Sequence, residues 1–300
     1  MQQYTDFSSV YDIFMDNVPY EEWAGKIANR LKEYGIEDGL VLDLGCGTGT
    51  LTEMLSDLGY DMIGIDSSED MLAEAREKLY EYEDEIDEDD DIEGVGDPEA
   101  NDDYEASDDF ETADDFEVSD ELETSDEAYD INEIEQILYL CQDISDFELY
   151  GTVRAVVSTC DTFNYLTDRE ALLASFKLVN NYIEPDGIFI FDMNAPEKYE
   201  QVLADNVFAE NREDASFIWE NSYDKESKIN EYALTLFIKD EETDQYEKTE
   251  ECHYQRAYSR EEIKELLDEA GFEILDNYEE DMRMFYVAKV AEGRKLGNIG

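Results

Sequence analysis

Three glycines at alternate positions close an apolar run in "LVLDLGCGTGTL", residues 40–51, and an acid, Asp43, stands two residues before the first of them. Gly45, Gly47 and Gly49 let the backbone pass close to a bound group, and the helical pattern that follows offers it unpaired N–H donors. A dinucleotide site wants GxGxxG with a pyrophosphate on the helix N-terminus, but Thr50 holds the place of the third glycine. Asp43 decides further, because a carboxylate at a strand end repels a pyrophosphate and attracts a cation.

A cofactor with an α-ammonium and a sulfonium and no phosphate, S-adenosylmethionine, therefore suits the loop better than NAD. Asp43 is placed to read the ammonium directly or through water. The strand "YDMIGID" ends at Asp66, whose carboxylate can accept both hydroxyls of an adenosine ribose; NAD would satisfy Asp66 equally. After the third strand, "CQD" sets Asp143 at the carboxyl edge of the sheet, where it can accept from the adenine amino group, or else serve as a helix N-cap or stand solvated. The expected cofactor-binding set is Tyr11, Asp43, Gly45, Cys46, Gly47, Gly49, Asp66, Ser67, Asp143, Ile144 and Cys160.

These residues need elements that hold them at one edge of a sheet, and the apolar periodicity supplies such elements. "GLVLDLG" and "YDMIGID" read as buried strands. "TGTLTEMLSDLG", closed by Gly59, and "SSEDMLAEAREKLYEY", with a capping box of Ser67 and Asp70, read as helices. "QILYLCQD", "VRAVVSTCD", a helix around "DREALLASFKLVNNYI", a turn "EPDG" and the strand "GIFIFDMN" continue the βαβ rhythm of a doubly wound, mostly parallel α/β sheet. From about Phe217 the period becomes two: "FIWENSY", "INEYALTLFIKD" and "EKTEECHYQRAYS" predict an antiparallel patch of three strands. A helix "SREEIKELLDEAG" and strands "FEILDNYE" and "RMFYVAKV" then finish the main sheet.

Between those elements, from about Glu81 to Glu135, lies a run with no Lys or Arg, roughly half of it Asp or Glu; its self-repulsion and scarcity of aliphatics predict disorder. A six-residue repeat runs through it, "DDYEAS", "DDFETA", "DDFEVS", "DELETS". Asp89, Asp91, Glu93, Gly94 and Asp97 imitate a calcium loop, but its twelfth position is Ala100 where a bidentate Glu belongs, so no metal is expected. The domain reading is a core of 1–80 with 137–196 and 258–292, an acidic insertion of 81–136, and an antiparallel β lid of 197–257.

The formal net charge of −62 argues against nucleic-acid and membrane-surface partners, which are held through Lys and Arg. No run of about 18 apolar residues predicts a membrane span, and "MQQYTDFSSVYDIF" does not resemble a signal peptide; a cytoplasmic protein is expected. Cys46, Cys141, Cys160 and Cys252 form no CxxC pair, so neither a disulfide framework nor a zinc site is predicted.

"VLDLGCGTG", "GIDSS", "CQD", "CDTFNYL" and "EPDGIFIFDMN", in that order, resemble the class I S-adenosylmethionine-dependent methyltransferases, and "VYDIFM", "FIWEN" and "HYQRAY" resemble a bacterial group of small-molecule methyltransferases within them. The resemblance covers nearly the whole chain except the acidic insertion. It implies a Rossmann-like sheet of seven strands with the last antiparallel, an N-terminal segment with Tyr11 closing over the cofactor, and a β patch that caps the carboxyl edge and contacts the substrate. The insertion replaces a short helix-to-strand turn, and such turns lie at the edge opposite the ligands; the acid run is expected away from the site.

Methyl transfer from a sulfonium is an in-line displacement in which positioning the nucleophile about 3 Å from the methyl carbon can remove roughly 7–11 kcal/mol of barrier. Asp161 and Asn164 are the expected orienting groups, Tyr165 a wall of the pocket, and His253, the only histidine, a general base. Arg256, with Tyr258 beside it, is expected on the substrate, where a guanidinium can hold a carboxylate, or else paired with one of the many acids around it. The function expected is methylation of an N, O or C atom of a small molecule. The alternative is a cofactor-binding scaffold that docks a basic partner through the acidic repeat; an NAD-dependent oxidoreductase is disfavoured by Asp43 and Thr50.

Overall fold

Apolar residues alternate on both faces of the central strands, and each face is covered. The computed structural model describes residues 4–89, 137–240 and 243–293. The strands β1 (Gly39–Leu44), β2 (Tyr60–Asp66), β3 (Ile137–Cys141), β4 (Val153–Ser158) and β5 (Ile183–Asn194) are all parallel. Together with β10 (Phe272–Glu280) and β11 (Arg283–Val290) they form a seven-stranded sheet of order β10-β11-β5-β4-β1-β2-β3, in which β11 pairs antiparallel with both neighbours. Leu42, Val156, Phe189 and Phe191 point to one face, toward the helices α5 (Arg169–Tyr182) and α6 (Arg260–Ala270). Val41, Ala155, Val157, Ile188 and Ile190 point to the other, against α2 (Tyr20–Glu33) and α3 (Thr50–Asp57). Two-sided burial is what a parallel sheet requires, and it accounts for the near-continuous apolar runs in these strands.

The period-two region forms a second, antiparallel sheet of order β6-β7-β8-β9: β6 (Val207–Asn211), β7 (Ala215–Asp224), β8 (Ile229–Asp240) and β9 (Gln245–Arg256). It has four strands where the sequence predicts three; β6 is short and flanked by charge, which hides its pattern. Val10 and Phe14 of α1 (Ser8–Phe14) pack on Ala215, Leu234 and Leu236 of this sheet, so the N-terminal segment lies along it. Two further boundaries differ. "EPDG" is absorbed into β5, where the pairing jumps from Val153–Ile183 to Ala155–Ile188 and leaves a bulge instead of a free turn. The first turn of α4 (Glu69–Asp89) is capped by the Ser68 hydroxyl, which accepts from Met71 N at 3.2 Å; Ser67 is exposed and caps nothing.

Two compact units are present, one of Met1–Leu79 with Gln136–Gly300, which holds both sheets, and one of Tyr80–Glu135. Helix α4 runs past Tyr82 to Asp89. The hexad repeat, and the calcium-like window beyond Asp89, lie outside the described residues. Among the described residues no helix is long and apolar enough to cross a membrane, and no group of His, Cys, Asp and Glu could hold a metal ion.

Candidate functional site

At the carboxyl edge of β1 the chain turns through Gly45 and Gly49 with φ of 75° and 79°, a region a side chain rarely adopts. Space enforces the same choice: a Cβ on Gly45 would lie 2.3 Å from Thr162 Cγ2, and one on Gly49 2.1 Å from the Tyr139 hydroxyl. Gly45 N donates to Ile65 O at 2.7 Å, which fastens the turn to β2. At the end of β2, Asp66 accepts from Gly47 N at 3.0 Å and from Ser68 N at 2.8 Å, while burial pushes its carboxyl up. Asp143, at the end of β3, accepts from the amide and hydroxyl of Ser145.

These ends surround a cavity of about 330 Å³, lined by Tyr4, Tyr11, Gly45, Gly47, Asp66, Ser67, Met71, Asp143, Ile144, Cys160, Thr162, Tyr165 and Leu166. Eight members of the expected cofactor set are thus brought together: Tyr11, Gly45, Gly47, Asp66, Ser67, Asp143, Ile144 and Cys160. Asp43, Cys46 and Gly49 are not in the lining. Asp43 is 2 % exposed and lies beneath the loop, where it accepts from Thr52 Oγ1 at 2.7 Å; burial pushes its carboxyl up to about 7. It ties α3 to β1 instead of facing the cavity. Cys46 packs against the cluster of Leu72, Ala75 and Tyr139, where burial pushes its thiol up. Tyr4, Met71, Thr162 and Leu166 were not singled out from the sequence; Tyr4 in particular lies in a stretch with no motif.

A second cavity, also about 330 Å³, opens between the N-terminal segment, the carboxyl edge of β4 and the inner face of the second sheet. It shares Tyr4, Tyr11, Cys160 and Tyr165 with the first, so the two adjoin at a largely aromatic collar. The Tyr4 and Tyr165 hydroxyls are 2.5 Å apart in that collar. The floor is the turn after β4, where Cys160 and Asp161 are both left-handed, with φ of 57° and 55°. Two successive non-glycine residues in this region cost of order 1–3 kcal/mol each and persist only when held. What holds them is Asp192: its oxygens accept from Cys160 N at 3.1 Å and Asp161 N at 2.8 Å, and Arg283 bridges Asp192 to Asp161. Gln255 Nε2 donates to the remaining Asp161 oxygen at 2.6 Å. Asp161 therefore lines the cavity with both oxygens already engaged.

Three further candidates lie elsewhere. Asn164 is fully buried; its amide donates to Arg256 O at 2.8 Å and accepts from Asn194 N at 2.9 Å, stitching the turn to β5 and β9. Arg256 donates to Thr167 O and to Glu262 and stacks on Tyr258 at 4.7 Å, and the Tyr258 hydroxyl donates to Leu166 O. None of the three lines either cavity. The pleat explains it: Glu251, His253 and Gln255 of β9 are buried on the inner face, and Arg256 falls on the other.

His253 is 3 % exposed and lines the second cavity. Its Nε2 lies 2.9 Å from Glu251 Oε2, and its Nδ1 is buried with no partner. Glu251 also accepts from the amides of Tyr4, Thr5 and Phe7 and from the Thr5 hydroxyl. Burial opposes its charge, but the bonds from His253, Phe7 and Thr5 prevail and hold the carboxyl at about 2. Glu251 is thus ionised and accepts from His253 Nε2–H, which leaves Nδ1 without a partner among the described residues. One carboxylate orients the histidine and anchors the N-terminal segment. Its signal was the i, i+2, i+4 spacing of Glu251, His253 and Gln255, which puts the three on one face of the strand.

Residues 16–277 match the family model of a methyltransferase domain. The chain belongs to that methyltransferase family. YqeM of Bacillus subtilis (strain 168), a candidate methyltransferase, is 28% identical over 272 residues, covering 90% of this chain and 87% of its own. The crystal structure of an S-adenosylmethionine-dependent methyltransferase from Clostridium acetobutylicum (ATCC 824) superposes with a TM-score of 0.71 at 25% identity, over 97% of this chain and 100% of the other. DesVI of Streptomyces venezuelae shares the fold with a TM-score of 0.68 at 20% identity, over 96% and 99%. The cofactor of this methyltransferase is S-adenosylmethionine. The residues suit it: a glycine turn too close for any Cβ, a carboxylate at the β2 end, and no Lys or Arg in the lining to meet a pyrophosphate.

Proposed function

We propose that this methyltransferase methylates a nitrogen or oxygen atom of a small molecule seated in the second cavity, with His253 taking the acceptor's proton. The observation that supports the reading is that the two cavities adjoin at Tyr4, Tyr11, Cys160 and Tyr165. S-adenosylmethionine supplies an electrophilic methyl group on a sulfonium. Asp66 and Asp143 accept from the ribose and adenine side of the cofactor, and the Gly45–Gly47 backbone accommodates its methionine portion. The aromatic collar sets the acceptor cavity beside the cofactor cavity, and positioning the reacting atoms can by itself lower the barrier. His253 Nδ1 takes the proton, and Glu251 balances the imidazolium that results, the logic of a nucleophile's base held by a carboxylate. A stretch of 76 residues is 37% identical to a Streptomyces venezuelae amino-sugar N,N-dimethyltransferase, which favours nitrogen as the acceptor atom.

The test is transfer of radiolabelled methyl from S-adenosylmethionine to a panel of small amines and hydroxy compounds by the full chain and by His253→Asn. Labelled product is expected, with turnover in the variant lower by about 10²–10⁴-fold near neutral pH. Unchanged turnover in the variant removes the base, and absence of label in every amine and hydroxy compound removes the acceptor class.

A further inference from the structure

In a chain with a net charge of −62, a cation without an acid beside it stands out. Of the described lysines and arginines that are not fully exposed, Lys198 alone makes no ion pair. It opens the π-helical turn Lys198–Leu203 and lines the second cavity. Its Nζ donates to Asn194 Oδ1 at 2.9 Å, and an ammonium has three donors, so two have no partner among the described residues. Burial pulls its ammonium below the ordinary lysine range, opposed by the more distant charges of Asp161 and Asp192.

The other charged groups of this cavity are matched. Asp161 is held by Arg283 and Gln255, Glu210 by Arg212, His253 by Glu251, and Arg283 by both Asp161 and Asp192. Phe14, Trp23, Phe217, Trp219 and Tyr232 supply much of the rest of the lining. An apolar wall with one under-used cation orients a ligand that has an apolar body and one negative end.

We infer that the methyl acceptor carries a carboxylate that seats on Lys198, with its apolar body against the Phe217–Trp219 wall. The inference rests on the reading of the second cavity as the acceptor site. A single ammonium with two free donors matches a singly charged carboxylate; a phosphate dianion calls for several cations or a nest of amides. The nest present here, at Cys160 and Asp161, is already filled by Asp192.

Trp23 and Trp219 are the only tryptophans of the chain and both line this cavity, so tryptophan fluorescence reads its occupancy. The full chain saturated with S-adenosylhomocysteine is titrated with phenylacetate, 2-phenylethanol and inorganic phosphate, and the series is repeated with Lys198→Met. Saturable binding of phenylacetate is expected, weakened about tenfold or more by Lys198→Met and at least as much by replacing the carboxylate with the alcohol. Equal phenylacetate affinity in Lys198→Met, equal affinity for the alcohol, or no phenylacetate binding overturns the inference; tighter binding of phosphate than of phenylacetate reassigns the site and overturns the carboxylate. Lys198→Met must keep the affinity for S-adenosylhomocysteine, and Lys198→Gln replaces it if it does not. Failure of the unchanged chain to bind S-adenosylhomocysteine counts against the cofactor cavity itself, and is read separately in the first titration.

Discussion

The two cavities share a wall but are made differently. The first has a floor set by the ends of β1, β2 and β3, which lie side by side: a glycine turn, Asp66 between two amides, and Asp143, with side chains of the N-terminal segment and the turn after β4 around it. The second is built from side chains delivered by the N-terminal segment, the turn after β4, the π-helical turn and all four strands of the second sheet. A backbone site tolerates changes in its neighbours and fails when a glycine gains a side chain. A side-chain site depends on long-range braces, and it can change its ligand by substitution without disturbing the fold.

The largest effect expected falls on a brace of the second cavity. Arg283→Met leaves Asp161 and Asp192 buried without their cation, which costs about 3–5 kcal/mol. Denaturant melts measure it, and S-adenosylhomocysteine affinity should change far less than stability because Arg283 does not line the first cavity. A matching collapse of cofactor affinity would erase the distinction between the two sites.

Glu251→Ala comes next, at about 2–4 kcal/mol, since it strands the amides of Tyr4, Thr5 and Phe7. Its carboxyl is lowered by folding, so its contribution is complete above the unfolded value of about 4.3 and is lost as pH falls toward about 2. Acid titration of the wild type against Glu251→Gln should show a difference above pH 5 that shrinks on acidification. A difference independent of pH would contradict the charge assignment.

Gly45→Ala tests the backbone site. The positive φ and the approach to Thr162 predict a stability loss of about 1–3 kcal/mol and a drop in cofactor affinity of about tenfold or more. Calorimetry on the folded variant separates the two.

At acidic pH the smallest effect belongs to Asp43. Folding raises its carboxyl to about 7, so its stabilising share is present below the unfolded value of about 3.9 and is lost as pH rises from there to about 7. Asp43→Asn should therefore flatten thermal stability between pH 4 and 7, with a net change within about 1 kcal/mol at pH 4. A large loss of cofactor affinity in this variant would return Asp43 to the site.

The contrast also explains what could be read in the chain itself. The buried parallel strands were legible because two-sided burial writes long apolar runs, whereas the count of seven and the reversed last strand came from the family resemblance. Gly45, Gly47 and Asp66 were legible because adjacent strand ends carry their residues at short spacing. Asn164, Arg256 and Tyr258 were misplaced because polarity marks a residue as engaged without telling whether its partner is a ligand or a neighbouring backbone. Glu251, Tyr4 and Lys198 were missed because each acts across more than 30 residues of sequence or from a stretch with no periodic signal.

The most direct test is calorimetric titration of the full chain and of Asp66→Ala with S-adenosylmethionine, S-adenosylhomocysteine and NADH. Saturable binding of both sulfur ligands, weakened about tenfold or more in Asp66→Ala and absent for NADH, is the result predicted. Binding of NADH through Asp66, or no binding of either sulfur ligand, contradicts it.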